Sequence, residues 1–545
     1  MGLSLKGKAD GLKGNIGLSV VVINVILLLV LFVINRYFVF IPINVKFLFR
    51  FLFAWGVVNG VILIAYSIYK HKKVLRITVI GVLACMILAS IITTNKIFNY
   101  KRYRNLAGEI KTHEFNDDIK AVDLSKLPIN NSDLAKNLAD KKLGEIPSLG
   151  SQVDIGEFTI QKVKDELYYV APLEHEGFFK WYSNRKGTPG YVMVSATRQN
   201  DVRLVTELNG KKINLKYLDS AYFMSYLKRH AFLNKSTKGL TDYSFELDDE
   251  GNPYWAISMY DLSVGLSGEK VEGTVLINAQ TGETKTYSIK DTPSWVDRIQ
   301  PKQIMQKNLT NWGELVHGVF NFSNKDKLTL TEGIKVIYNG EDCYYYTGVT
   351  SVGADESLVG FFLTNSRTGT TNLYKVSGAI ENAAVKSAEG KVQQFGYTGT
   401  FPILTNVQSQ PTYFTTLLDN KGLIKSYAFV NVKNYNVVGE GETVNEAYSD
   451  YIKGLSRDTS IKLEESGNSK EIEGIIDRIG EVSNGDNQYY MITLKDNKNI
   501  FIVPKELSNL TSITKEQDKI KIEYIESDNK TVTAKKFKNV TLEER

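Results

Sequence analysis

The fold of the large soluble part of this chain is decided by a stretch that reads Gly273-Thr274-Val275-Leu276-Ile277-Asn278-Ala279-Gln280-Thr281-Gly282-Glu283. The first half of this stretch is an apolar run that is rich in strand-forming residues. The second half contains Asn, Thr and Gly, which favour turns. Weaker copies of the pattern occur before and after it, so the stretch predicts a repeated strand-and-turn unit.

The copies share an aromatic strand, a polar excursion and a second apolar strand. They are Tyr168-Tyr169-Val170 with 190–194, Tyr254-Trp255-Ala256-Ile257 with the stretch from Gly273, Tyr344-Tyr345-Tyr346 with 360–369, and Tyr413-Phe414 with 427–432. The second strands begin at 190, 273, 360 and about 426, which gives steps of 83, 87 and about 66 residues. This period is long for a solenoid repeat but suits a small domain in tandem.

Helical patterns lie between the copies. Apolar residues at the helical spacing of 4, 3, 4 and 3 are Met305, Leu309, Trp312, Val316 and Val319. Further candidate helices are an Ala-rich segment at 379–394, segments at 221–233 and 444–455, and a helix around 134–138 capped by Ser132 or Asp133. A helix beside half-buried strands covers their apolar face, so we predict the α+β class with tandem units.

The C-terminal region has a different composition. Residues 456–470 form a polar segment without periodicity, which is typical of a linker. Short strands are then predicted at 471–481, 488–494, 499–503, 519–525 and 531–538. This number of strands in so short a region favours a small all-β barrel of the OB-like or SH3-like kind.

The N-terminal region contains three apolar segments, at about 17–34, 47–69 and 77–97. Each is close to the ~20 residues that a helix needs to cross a bilayer. The first segment is long for a signal peptide, and no small-residue cleavage site follows it. A buried hydrophobic hairpin in a soluble protein is the alternative interpretation, and a membrane anchor is favoured.

The net charge of +6 is unevenly distributed. Residues 1–104 hold fourteen Lys and Arg and one acid, Asp10, whereas the remainder holds 52 basic and 59 acidic residues. The basic excess therefore belongs to the membrane region, where it meets anionic headgroups, and it does not indicate a nucleic-acid partner. Basic residues flanking the spans tie at seven on each side. Because the first helix usually dominates orientation, we expect the N-terminus inside and the region after about residue 100 outside.

The second copy, in which Tyr254 and Trp255 precede Gly-x-Val-x-Ile-Asn-Ala-x-Thr-Gly-Glu, resembles the PepSY family of bacterial extracytoplasmic modules. The third copy keeps Gly360, Asn365 and Gly369 together with Thr368, but it lacks the acid. The first and fourth copies keep only the strands. The resemblance implies an extracytoplasmic location and a binding or inhibitory role toward peptidases or the cell envelope, without catalysis. A glycine at positive φ reverses a strand by itself, so a hairpin repeat without common ancestry also explains the residues.

The strongest local candidate for a functional site is Glu174-His175-Glu176, since a His between carboxylates can bind a metal or accept a proton. Adjacent side chains on a strand point to opposite faces, so these three converge only if the strand bends. They remain candidates for a metal site, and we expect no catalytic residue, no bound metal and no cofactor. The chain contains no phosphate loop, no His-Glu-x-x-His and no Gly-x-Ser-x-Gly. The other histidines considered are dispersed, at His113, His230 and His317.

These patterns divide the chain into a membrane anchor (1–104), a first pair of α+β units (105–300), a second pair (301–455), a linker (456–470) and a barrel (471–545). The leading hypothesis is a membrane-anchored, extracytoplasmic binding or regulatory protein of the bacterial cell envelope, without catalysis. Its partners would be the lipid bilayer and either an envelope protein or peptidase or a cell-wall polymer, for which exposed tyrosines could form a platform.

Two alternatives stay open. The first is an envelope enzyme or transporter accessory whose carboxylates are brought together only by the fold. Asp261, Asp291 and Asp297 lie in loop-like contexts that suit this alternative. The second alternative is a structural or assembly scaffold.

Overall fold

The computed structural model describes residues 22–115, 119–331, 333–339, 342–353, 357–457, 469–484, 487–525 and 531–543. It is a mixture of helices and sheets behind three apolar N-terminal helices, which confirms the predicted class at that level. Residues 17–21 of the first predicted span and 458–468 of the predicted linker lie outside the described residues.

The helices of the described part begin with the apolar N-terminal ones. They are α1 (Val22–Val39), α2 (Val45–Tyr69), α3 (Lys73–Thr94), α4 (Lys96–Arg104), α5 (Ser132–Gly144), α6 (Pro147–Gly150), α7 (Phe178–Ser183), α8 (Leu227–Asn234), α9 (Lys302–Glu314), α10 (Glu381–Lys391), α11 (Val444–Arg457) and α12 (Val540–Glu543).

The strands of the first half of the chain are β1 (Lys111–Glu114), β2 (Val153–Ile155), β3 (Thr159–Val163), β4 (Glu166–His175), β5 (Tyr191–Ser195), β6 (Val202–Val205), β7 (Glu207–Leu208), β8 (Lys211–Lys212), β9 (Gly239–Leu247), β10 (Pro253–Val264), β11 (Ser267–Asn278) and β12 (Thr284–Ser288). Those of the second half are β13 (Leu328–Leu330), β14 (Lys335–Asn339), β15 (Asp342–Ser351), β16 (Ser357–Asn365), β17 (Thr371–Ala379), β18 (Thr398–Gly399), β19 (Ile403–Val407), β20 (Gln410–Leu418), β21 (Ile424–Asn431), β22 (Val438–Gly441), β23 (Ser469–Asn484), β24 (Asn487–Leu494), β25 (Ile500–Pro504), β26 (Lys519–Ile525) and β27 (Thr531–Asn539).

Four units between the anchor and residue 457 share one topology, in which a helix precedes four strands that pair antiparallel in chain order. Unit 1 is α5 with β3 to β6, and unit 2 is α8 with β9 to β12. Unit 3 is α9 with β14 to β17, and unit 4 is α10 with β19 to β22. The aromatic strand and the second apolar strand of each sequence copy form the central hairpin of a unit.

The third strand of each unit ends in a similar turn. In unit 2, Asn278 Oδ1 accepts hydrogen bonds from the backbone N–H groups of Gln280 (3.0 Å) and Thr281 (2.9 Å). The Asn278 N–H donates to the Glu283 carbonyl oxygen at 2.9 Å, which starts the next strand. The corresponding residues of units 1, 3 and 4, whose side-chain oxygens also accept from nearby backbone N–H groups, are Ser195, Asn365 and Asn431. A short polar side chain therefore sets each turn.

The stretch 273–283 also forms hydrogen bonds that hold unit 2 to the chain segment that precedes it. The Ala279 carbonyl oxygen accepts hydrogen bonds from the N–H groups of Lys216 and Tyr217, both at 2.9 Å. Trp255 Nε1 donates to the Tyr217 carbonyl oxygen at 2.8 Å. Gly282 has φ of 77° and leaves room for the Tyr217 ring. The residues of the stretch thus form the turn and also its contact with Tyr217.

The units are packed in two equivalent pairs. One core joins units 1 and 2 and includes residues of α8, and another joins units 3 and 4 and includes residues of α10. The outer faces of units 1 and 3 are covered by α5 and α9, and that of unit 4 by α11. The outer face of unit 2 is covered by the segment around Val296 and Ile299.

The predicted helix near 134–138 is α5, but its N-cap differs from the expected one. The cap is Asn131, whose Oδ1 accepts from the Leu134 N–H at 2.8 Å, rather than Ser132 or Asp133. Asn is as good a cap as Ser or Asp, so residue type does not favour the two expected positions over Asn131.

The C-terminal strands form a closed barrel in the order β23, β24, β25, β27, β26. The long strand β23 pairs with β26 through its first half and with β24 through its second half. Strand β25 runs parallel to β27, and the other pairs are antiparallel.

Three helices of the anchor are long and apolar enough to cross a membrane, which confirms the predicted number of apolar spans, although the first continues to Val39, beyond its predicted end at 34. Phe40, just after α1, packs on α8. Phe47 of α2 packs on Tyr260 with ring centroids 5.7 Å apart. Thr94 Oγ1 at the end of α3 accepts from the Leu266 N–H at 3.1 Å. The end of α1, the start of α2 and the end of α3 therefore meet beside unit 2, as three successive crossings require.

Alanine at Gly282 tests the packing of the unit 2 turn against the Tyr217 ring. A Cβ there would lie 2.3 Å from Tyr217 Cζ, whereas a Cβ at Gly369, the matching glycine of unit 3, would lie 3.2 Å from Gln300 Cδ. Both glycines have positive φ, so each alanine costs about 1–2 kcal/mol, and overpacking adds about 1–3 kcal/mol at Gly282. We expect Gly282→Ala to lower the unfolding temperature of the full chain in detergent more than Gly369→Ala does. Equal shifts in unfolding temperature would show that close packing against Tyr217 does not contribute to stability.

Candidate functional site

A pocket of about 820 Å³ opens on unit 3, where β1 extends the sheet. Strand β1 runs parallel to β17, with Lys111 opposite Asn372 and His113 opposite Tyr374. The lining comes from the segment after the anchor, from the sheet and from the turn at Asn365: Ala107, Gly108, Glu109, Lys111, His113, Asn339, Tyr344, Leu363, Thr368, Gly369, Thr370, Asn372 and Tyr374. A pocket of ~300–1,000 Å³ is typical of small-ligand sites.

The floor of the pocket is the face of the unit 3 sheet that also contributes to the core shared with unit 4. Leu363 and Tyr374 are buried members of that core. The ring centroid of His113 lies 5.5 Å from that of Tyr374, with the planes tilted by 32°. Tyr344, at the start of β15, is half-buried. The pocket therefore has an aromatic floor at the end of an otherwise covered sheet.

Hydroxyl and amide groups form much of the remaining lining. Asn365 Oδ1 accepts from the N–H groups of Arg367 (3.0 Å) and Thr368 (2.9 Å), and this turn places Thr368 and Thr370 at the pocket. One acid and one base, Glu109 and Lys111, are exposed in the lining and balance each other in charge. This arrangement suits a neutral ligand that is rich in hydrogen-bonding groups and can contact aromatic rings.

The structure does not bring Glu174, His175 and Glu176 together around one point. Glu174 Oε2 accepts from the Ser220 N–H at 2.9 Å, and burial raises the pKa of the Glu174 carboxyl. His175 is buried, which lowers its pKa, and its backbone N–H donates to Ser220 Oγ at 2.8 Å. Glu176 is exposed and pairs with Lys180. Within the described ranges, no group of three or more His, Cys, Asp and Glu side chains is placed to hold a metal ion.

The dispersed histidines have different surroundings. His230 Nε2 donates to the Gly282 carbonyl oxygen at 2.8 Å and so supports the unit 2 turn. His317 Nε2 lies 2.8 Å from Asp326 Oδ2 at the surface. His113, predicted only as part of a polar segment, is the one that lines the pocket.

A group of buried carboxyls lies where units 1, 2 and 3 meet. Asp297 Oδ2 accepts from the Lys162 N–H (2.7 Å) and from the Tyr338 hydroxyl (2.9 Å). The Asp297 N–H donates to Glu246 Oε2 at 3.2 Å. Arg298 Nη2 donates to Ser244 Oγ at 2.9 Å. The fold thus joins one of the loop aspartates to a carboxyl that sequence reasoning had not considered.

Burial is the main influence on the pKa values of these clustered carboxyls. It raises the pKa of Glu246 to about 8 and also raises the pKa values of Asp297 and Asp242. Glu246 Oε1 makes no hydrogen bond in the part of the chain that the structure describes. A proton on Glu246 relieves the cost of an incompletely solvated charge.

The other two loop aspartates lie elsewhere. Asp261 is paired with Lys238 (2.9 Å) and lies 3.8 Å from Lys46 at the start of α2. Asp291 accepts from Ser288 Oγ at 2.6 Å in the turn after β12. Cys343 is buried, and burial raises the pKa of its thiol to about 12, so it packs as an apolar residue rather than serving as a nucleophile.

Sequence reasoning missed the pocket because its parts have no local signature. Lys111 and His113 reach the sheet through pairing with β17, which follows them by more than a domain length. The one signal in the sequence is the aromatic run at Tyr344, since exposed tyrosines could form a platform for a polymer.

No protein-family model matches the chain, and no curated protein matches it. Among solved structures, levansucrase of B. megaterium is similar at 11% identity, covering 81% of this chain and 95% of that chain, with a TM-score of 0.18. A TM-score this low carries no argument about fold or function.

Glu246→Gln tests the buried carboxyls. Because the folded pKa of about 8 exceeds the ordinary value of 4.5, the folded chain holds a proton that the unfolded chain releases between these values. The contribution of Glu246 to the free energy of unfolding is therefore full below about pH 4.5 and is lost as the pH rises through about 8.

We expect the unfolding temperature of Glu246→Gln to fall less than that of the unmodified chain between about pH 5 and about pH 8, since a neutral amide has no proton to release. Glu314→Gln, at an exposed position, is the matched control and should follow the unmodified chain. The inference fails if Glu246→Gln and the unmodified chain show the same pH dependence.

Proposed function

We propose that this chain is a membrane-anchored, extracytoplasmic binding or regulatory protein of the bacterial cell envelope, without catalysis. In this proposal the pocket on unit 3 holds a segment of a neutral cell-wall polymer. The carrying observation is the lining, in which the half-buried Tyr344 offers an aromatic ring among hydroxyls and amides while Glu109 and Lys111 balance in charge. Recognition would depend on hydrogen bonds and ring contacts, so it should respond little to salt.

The location of the pocket supports an envelope role. Ala107 and Gly108 line it and follow directly after α4, which continues the third apolar helix. A polymer bound there would lie close to the surface of the membrane. An envelope protein or a peptidase, the other partners considered, would be expected to use a larger surface than one pocket.

We also infer that the four units are PepSY-like modules and that the terminal barrel is OB-like. The recurrence of a helix with a four-stranded meander, and of a polar side chain at Ser195, Asn278, Asn365 and Asn431, supports the first inference. A barrel of five strands whose first strand pairs with two others, and whose third and fifth strands are parallel, supports the OB-like alternative over the SH3-like one.

A second candidate function, an envelope enzyme or transporter accessory, is favoured by the convergence of Glu246 and Asp297. Against it, Asp297 already accepts hydrogen bonds from units 1 and 3, so it serves to join units. A scaffold role, the remaining alternative, would need neither the pocket nor the carboxyls. Binding of a cell-wall polymer in the pocket would favour the binding role over both alternatives.

Binding is tested by sedimentation of the purified full chain, in detergent, with insoluble cell-wall sacculi. Tyr344→Ala removes an aromatic group of the lining and should weaken binding by about tenfold, which corresponds to ~1.4 kcal/mol. Tyr435→Ala, at a 48% exposed tyrosine of unit 4 outside the pocket lining, is the matched control and should bind normally. Failure of the unmodified chain to sediment would reject a wall polymer, and equal binding of both variants would reject this pocket.

Topology is tested by reporter fusions after Arg104 and after Arg545. With the N-terminus inside and three crossings, both reporters should be active only outside the cytoplasm. A cytoplasmic signal from both fusions would overturn the extracytoplasmic placement and the function proposed from it.

A further inference from the structure

A cluster of exposed apolar side chains lies on α7 and on the turn Phe223–Ser225. We name it the aromatic patch, and its members are Phe178, Phe179, Tyr182, Tyr222, Phe223 and Met224. Phe179 is 82% exposed and Phe223 is 63% exposed. A contiguous apolar surface of this kind marks a place that contacts something other than water.

The aromatic patch is held in place by contacts with the buried side chain of Trp181. Trp181 is a buried member of the core that joins units 1 and 2. Its ring centroid lies 5.8 Å from that of Phe178, 5.4 Å from Tyr222 and 5.6 Å from Phe223. Phe178 and Tyr222 also meet edge to face at 5.1 Å. The exposed rings are therefore fixed on the folded units.

Phe223 keeps its outward position despite an unfavourable backbone. Its φ is 53°, in the left-handed region that a bulky side chain rarely occupies. Such a conformation persists where the surrounding contacts determine it, and it is common at sites of interaction.

The aromatic patch is continuous with the membrane anchor. Arg229 donates from Nε (3.1 Å) and Nη2 (2.8 Å) to the Tyr37 carbonyl oxygen in the last turn of α1. The same guanidinium donates from Nη1 to the Phe223 carbonyl oxygen. It also lies 6.0 Å from the ring centroid of Phe38, which is 71% exposed. One side chain thus sets Phe223 beside the end of the first apolar helix.

Unit 2 is tied to the anchor at further points, so its height over the membrane is constrained. Arg102 Nη2 of α4 donates to the Ser263 carbonyl oxygen at 2.6 Å, near the end of β10. Beside α4, Val319 packs with Tyr103 and leads into a second exposed aromatic pair, Phe320 and Phe322. Exposed aromatic residues therefore occur next to the ends of both α1 and α4.

We propose that the aromatic patch lies in the headgroup zone of the same bilayer that the apolar helices cross, so that unit 1 and unit 2 rest on the membrane. Aromatic side chains favour this zone because their rings are apolar while tyrosine keeps a polar tip. The exposed Arg185, whose guanidinium lies 4.1 Å from the Tyr182 ring centroid, suits the anionic headgroups at its edge. This inference requires the membrane anchor but not the ligand pocket.

Fluorescence quenching tests the proposal with the full chain in vesicles of phosphatidylcholine and phosphatidylglycerol. Phe179→Trp places a reporter in the aromatic patch, in a background where Trp55 of α2 is replaced by Phe to remove its signal from the bilayer. Lipids brominated near the headgroup end of the acyl chain should quench the added signal by about twofold or more, because the proposal places the new Trp at the membrane–water interface beside these bromines.

Phe395→Trp, at a 61% exposed phenylalanine between α10 and β18 in unit 4, is the matched control and should show no added quenching. Both exchanges replace one exposed aromatic ring by another, so the fold is retained. The proposal is overturned if Phe179→Trp is quenched no more than Phe395→Trp, which would leave the aromatic patch as a surface for a protein partner.

Discussion

The central strands of the four units are buried on both faces. The need to cover both faces of each sheet determines how the rest of the molecule is arranged. All five residues of β5 are buried, as are eight of the nine residues of β20. A sheet of this kind must be covered on each side. One side of each sheet packs in the core of a pair, and the other side is covered by a helix or a connecting segment. The units therefore cannot be stable as separate modules strung on a flexible chain.

Polar contacts then fix how the paired units meet. Asp297 binds the backbone of unit 1 and a hydroxyl of unit 3, and the Ser366 hydroxyl donates to the Asp297 carbonyl oxygen. Buried groups of this kind are costly unless they are hydrogen-bonded, so they favour one arrangement over others of similar apolar burial. The carboxyls that suggested chemistry are thus accounted for chiefly by the joining of units.

The contacts with the apolar helices determine which parts of the array lie nearest to the anchor. Unit 2 contacts the ends of the apolar helices, and the segment that leaves α4 continues into β1 and the lining of the pocket. The aromatic patch and the pocket therefore both lie close to the ends of the apolar helices.

The sequence by itself determined the three apolar spans, the strand pairs and the turn at Asn278, because each follows from local periodicity or from the chemistry of one turn. The helix expected at 379–394 is α10 for the same reason. Only the tertiary structure decided the pocket and the meeting of Glu246 with Asp297. Pairing of β1 with β17 and packing between units depend on contacts between distant segments, and such contacts leave no periodic trace in the residues that make them.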